Sequence, residues 1–217
     1  LSQCHDAGVC DSITGECSNP PKTGEAACID DLMPKSWGDT CSSLTPMGIH
    51  YEALAAGPIA DSTLAYLNDA SQQPDLPSAD NPDLTLRTFA VTLYPSTTPV
   101  PSDANQGAMG DCGGIAALGS LAYLGPAYIQ SLITDNGDGT YSVTVHDPKG
   151  DHRTVRVDSQ FLADASGTLQ AVGSKNHTAT WATVLEKVVM KYIHAFPIVG
   201  QMPGIGSEHL TPIFTGS

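Results

Sequence analysis

Regular patterns of apolar and polar positions are few in this chain, and most lie in its second half. From Cys112 to Leu124 the run "CGGIAALGSLAYL" is apolar or small throughout, which predicts a buried helix. In "YIQSLITDNGDGTYSVTVHD" a helix ends and Asn136-Gly137-Asp138-Gly139 makes a turn. Tyr141, Val143 and Val145 then alternate with polar residues, as in a strand with one buried face. "HRTVRVDSQFL" predicts the strand that pairs with it. "TWATVLEKVVMKYIHAF" places Trp181, Val184, Leu185, Val188, Val189 and Tyr192 at the spacing of an amphipathic helix. The tail "GQMPGIGSEHLTPIFTGS" reads as a loop apolar enough to be docked.

The first half is less regular. In "LRTFAVTLYP", Phe89, Val91 and Leu93 alternate with Thr88 and Thr92, predicting one half-buried strand that ends at Pro95. "PMGIHYEALAAGPIADSTLAYLNDA" offers two short helices broken at Gly57 and Pro58, and "SQQPDLPSADNPD" an exposed loop. The patterns divide the chain into a Cys-rich module at 1–41, a connector or propeptide-like segment at 42–104, and a compact unit of helices and strands at 105–217.

Composition narrows the partners. Nine basic residues against 23 acidic ones give a formal charge of −14, a field that opposes nucleic acid and anionic membrane surfaces. No run approaches the length of a membrane span. Five of the six cysteines (Cys4, Cys10, Cys17, Cys28 and Cys41) crowd a head too small to bury much apolar surface, so disulfides are its expected staples. The absence of a CxxC pair counts against zinc. The odd number in the head leaves one thiol free, paired upstream of Leu1, or paired with Cys112 as a redox lock. Few lysines and a cysteine-dense head suit a secreted or cell-surface protein. "DNGDG" has the letters of a calcium loop, but a hairpin turn explains them as well, and no cofactor is expected.

Cys112 stands apart from that head. A cysteine in the first turn of a helix lies in the positive end of the helix dipole, which favours the thiolate. Gly107, Gly110, Gly113 and Gly114 let a substrate approach the backbone and leave amide groups free to bind an oxyanion, and Gln106 adds a side-chain donor. These are the parts of a thiol acyl-transfer site. The competing reading is a small buried residue in a Gly/Ala-packed helix.

"QGAMGDC" followed by "GGIAALGSLA" resembles the active-site segment of calpain-type cysteine proteases, of the papain-like clan. "VRVDSQFLADASGTLQ", "TWATVLEKVVMKY" and "GSEHLTPIFTG" resemble later motifs of that family in the same order. The head, with "CHDAGVCDSITGECSNPPKTGEAAC", resembles EGF-like repeats of exported bacterial proteins. The resemblance implies an α+β fold: the helical, cysteine-bearing half of a protease core with a small β-hairpin, preceded by a disulfide-rich module. It implies Cys112 as nucleophile, with Gln106 and the Cys112 N–H as oxyanion hole. The general-base histidine and its orienting asparagine are expected beyond Ser217 or on a second chain.

Of the seven histidines, His5, His50, His146, His152, His177 and His194 read as surface or packing residues, and His209 is the remaining candidate base. Gly113 replaces the family's Trp. Asp103 matches one of its calcium ligands, whereas Ala179 stands where a second, a Glu, belongs. Activation by clipping, as in a zymogen, is therefore expected over activation by calcium. The function expected is a cysteine endopeptidase acting on peptide or protein substrates. The alternatives are an inactive pseudoprotease or adhesion module using the head, and a peptide ligase on the same thiol.

Overall fold

A computed structural model of the chain describes residues 58–74, 83–196 and 207–216, with side chains from 210 onward in the last stretch. The five head cysteines, His5, His50 and the side chain of His209 lie outside the described residues, as do residues 75–82 of the expected loop. The chain divides into units 1–57 and 58–217, and the described residues all belong to the second.

Its elements are α1 (Asp61–Asn68), β1 (Thr85–Thr88), a 3-10 turn (Pro101–Asp103), α2 (Cys112–Leu124), α3 (Pro126–Leu132), β2 (Ile133–Asp135), β3 (Thr140–His146), β4 (His152–Asp158), β5 (Gln160–Ala163), α4 (Trp181–Ala195) and α5 (Ser207–Thr215). Among the described residues they form a mixture of helices and two small antiparallel sheets, β2-β3-β4 and β1-β5. α2 turns into α3 through a 111° bend at Gly125, and no single described helix is long and apolar enough to cross a membrane.

The β3–β4 hairpin follows the sequence pattern. Tyr141, Val143 and Val145 are buried on β3 opposite Val157, Val155 and Arg153 of β4. The turn before β3 is built by its own carboxylates: Asp135 Oδ1 accepts from Gly137 N (2.8 Å) and Asp138 Oδ1 from Thr140 N (3.0 Å). Gly137 and Gly139 sit at φ 77° and 80°, where a side chain would be strained. The "DNGDG" letters are thus used by the turn.

Three expectations change. The strand expected over 89–93 lies earlier, at Thr85–Thr88, because its partner β5 begins at Gln160 and the pairing runs out there. The chain then passes the start of α4, where Val91 bridges Ala179 and Leu93 O accepts from Trp181 N. The tail expected as a loop contains α5, which buries Leu210, Ile213 and Phe214 and packs on α2 and β3. The third correction concerns α4, which is amphipathic in sequence but buried on every side from Trp181 to Ile193.

The charges of α4 therefore need partners inside the unit. Lys187 ion-pairs with Asp158 and donates to Gln160 O (2.6 Å). Lys191 donates to Arg156 O (2.7 Å) on β4 and to Asp69 O (2.5 Å) at the end of α1. Burial lowers the Lys191 amine to about 8 from 10.5, against the attraction of Asp69. Glu186, the third charge, faces the candidate site.

Candidate active site

Residues 105–111 form a loop fastened along residues 169–173. Asn105 N donates to Gly173 O (2.7 Å), Gly173 N to Asn105 O (3.0 Å) and Ala108 N to Gln170 O (2.7 Å). Contact is so close at Gly107 that an added Cβ would lie 1.9 Å from Gln170 O, so the loop can take this path only with glycine there. Gln106 Nε2 donates to Met109 O (2.7 Å), which holds the amide along the loop and leaves its second hydrogen unspent.

The loop delivers the chain to α2, whose first residue is Cys112. The thiol is exposed and free. Asp111 occupies the N-cap, a position where aspartate ordinarily accepts from the helix N–H groups, yet it makes no such bond. The amides of Cys112, Gly113 and Gly114 donate to no described residue, since the first helical bond is Ile115 N to Asp111 O (3.0 Å). A helix start thus presents a thiol and uncapped N–H groups in one place, with a glutamine amide on the adjoining loop. That arrangement can attack a carbonyl carbon and hold the resulting oxyanion.

The model of the calpain family of cysteine proteases matches residues 87–209, more than half of the 217. The chain belongs to that family. Its activity is that of a cysteine-type peptidase. A search of curated proteins finds no match.

Within this calpain-family chain, the candidate residues Cys112 and Gln106 both fall in the matched segment, on the same loop and helix start. The four histidines whose side chains are described make their contacts elsewhere. His146 and His152 face each other at the end of the hairpin, with ring centroids 4.3 Å apart. His177 Nδ1 lies 3.1 Å from Leu169 O, and His194 packs its ring on Tyr66 at 4.8 Å.

The residues at the family's calcium position do not fit the ion. Asp103 is buried, and its Oδ2 accepts from the indole of Trp181 (2.9 Å) and from Val100 N (3.1 Å). Ala179 has no ligand atom in its side chain. Asp103 O also accepts from Thr180 Oγ1 (3.0 Å) at the N-cap of α4, so this residue fastens α4 to the approach of the active loop.

Sequence reasoning passed over Asp111 and Glu186, two buried carboxyls that come together beside the residue preceding α2. Both Glu186 oxygens accept from Val172 N at 3.1 Å. Its carboxyl lies beside that of Asp111, close enough for each to act on the other. Burial and then the charge of Asp111 push Glu186 well above the usual carboxylate range, and burial raises Asp111 as well. Asp111 reads as an ordinary cap and Glu186 as part of a solvent face. Only the burial of α4 on all sides distinguishes them.

Proposed function

We propose that Cys112 is the nucleophile of a cysteine endopeptidase that cleaves through a thioester. The observation that carries this reading is the free, exposed thiol at the uncapped start of α2, beside the Gln106 amide. Cys112 Sγ attacks the scissile carbonyl, and the oxyanion accepts from the Cys112 N–H and from Gln106 Nε2. On collapse the amine leaves with a proton from the base, and the acyl group remains on sulfur. Water, deprotonated by the same base, then releases the carboxylate and restores the thiol.

The base in this reading is a histidine with an orienting asparagine, from a β-rich half that continues the chain or comes as a second chain. The engagement of His146, His152, His177 and His194 elsewhere supports it. A head dense in cysteines supports an exported setting, with disulfide staples and activation by clipping.

In the full-length protein, Cys112→Ala is expected to abolish peptide hydrolysis. Undiminished hydrolysis would end the reading, and a full-length protein inactive before substitution would favour the pseudoprotease. Adding an amine acceptor separates hydrolysis from ligation, because a ligase would pass its acyl group to the amine in preference to water.

A further inference from the structure

Asp111 stands one residue before the thiol, and its side chain makes no capping bond to the helix it precedes. It is 3% exposed, its Oδ1 has no hydrogen-bond partner, and it meets Glu186, which is 4% exposed. Two buried carboxyls side by side are more stable with one proton between them than as two negative charges. Among the described residues no cation is paired with them: the ion pairs join Arg153 to Asp147 and Asp151, and Lys187 to Asp158.

The surroundings offer little else that titrates. On α4 the neighbour Lys187 is turned to Asp158 and Gln160. The small cavity beside Glu186, with Leu86, Phe161, Ala171 and Met190 in its wall, adds no other charged side chain. α2 carries Cys112 and, at its far end and exposed to solvent, Tyr123; the 3-10 turn carries Asp103, bonded to Trp181, and residues 169–173 carry none.

We propose that Asp111 and Glu186 keep one proton between them and act together as positioning residues for Cys112. The shared proton ties the residue before the nucleophile to α4. Glu186 in turn holds Val172, within the strip on which the oxyanion loop is fastened. With Asp111 drawn inward, the first N–H groups of α2 stay uncapped. As pH rises the proton passes to solvent, the tie is lost, and a second negative charge stands near the start of α2. The inference rests on Cys112 being the nucleophile.

Glu186→Gln in the full chain tests this, because its amide can donate to Asp111 while its oxygen still accepts from Val172. Alkylation of Cys112 by iodoacetamide is followed against pH. The wild type is expected to show two steps and the variant one, with the rates up to about tenfold apart at pH values above the pair's titration and below the thiol's own, the effect of one pKa unit from a like charge. A merely structural pair predicts the same profile for both proteins, and that result would overturn the proposal.

An infrared spectrum of the wild type needs no variant. A protonated-carboxyl band is expected at neutral pH, where ordinary Asp and Glu are ionised, and its absence would equally overturn the proposal. If Cys112 is not alkylated at all, the nucleophile assignment falls, and the infrared band still decides whether the pair holds its proton.

Discussion

At the scale of single residues, position in the backbone separates Cys112 from a packed cysteine. It starts a helix, it is exposed, and the loop before it is held by backbone bonds to residues 169–173. Gly107 is the tightest point of that contact. Gly107→Ala would drive a methyl group into the carbonyl of Gln170, 1.9 Å away, and displace the Gln106 amide with it. We expect kcat/KM for peptide hydrolysis to fall about a hundredfold, as misplacement of a catalytic group by an ångström does. An unchanged value would show that Gln106 is not held by this contact. The thiol, the glycines and Gln106 were legible in the sequence because their spacing is local. The carboxyl pair was not, because Asp111 and Glu186 lie far apart in sequence and each resembles an ordinary surface residue.

At the scale of elements, the patterns succeeded where one face of an element is buried. Tyr141, Val143 and Val145 announce β3, and the apolar run announces α2. They failed where burial is complete or the breakers mislead. α4 carries Glu186, Lys187 and Lys191 where an amphipathic helix would meet water, yet each charge finds an interior partner. α5 was hidden by Pro212 and the glycines before it, although Leu210, Ile213 and Phe214 have helical spacing. Phe214 is fully buried, and its carbonyl accepts from Tyr128 Oη (2.6 Å) on α3. Phe214→Ala is expected to cost about 3–5 kcal/mol in urea unfolding, the usual cost of removing a buried phenyl ring. A loss under about 1 kcal/mol would mean that α5 does not contribute to this core.

At the scale of the molecule, the buried charges of α4 make stability depend on pH. The Lys191 amine, at about 8 when folded, sits below its ordinary 10.5. The unfolded chain therefore holds more protons between those values, and stability rises as pH climbs through them. Glu186 acts in the opposite direction, since its stabilising contribution is complete below 4.5 and is lost as pH rises through its raised folded value. Tyr94 and Tyr141, also raised by burial, oppose the lysine only above about pH 10. Thermal unfolding between pH 8 and 10 should therefore show a lysine contribution of up to about 3 kcal/mol that Lys191→Met removes. Parallel pH curves for the two proteins would contradict that assignment.

The role of Cys112 underlies all of this chemistry, and the most direct measurement is to inactivate the full-length peptidase with an irreversible peptidyl electrophile and map the adduct by mass spectrometry. A nucleophilic Cys112 predicts one adduct, on its sulfur, appearing in step with the loss of hydrolysis. Complete inactivation with Cys112 unmodified would contradict it.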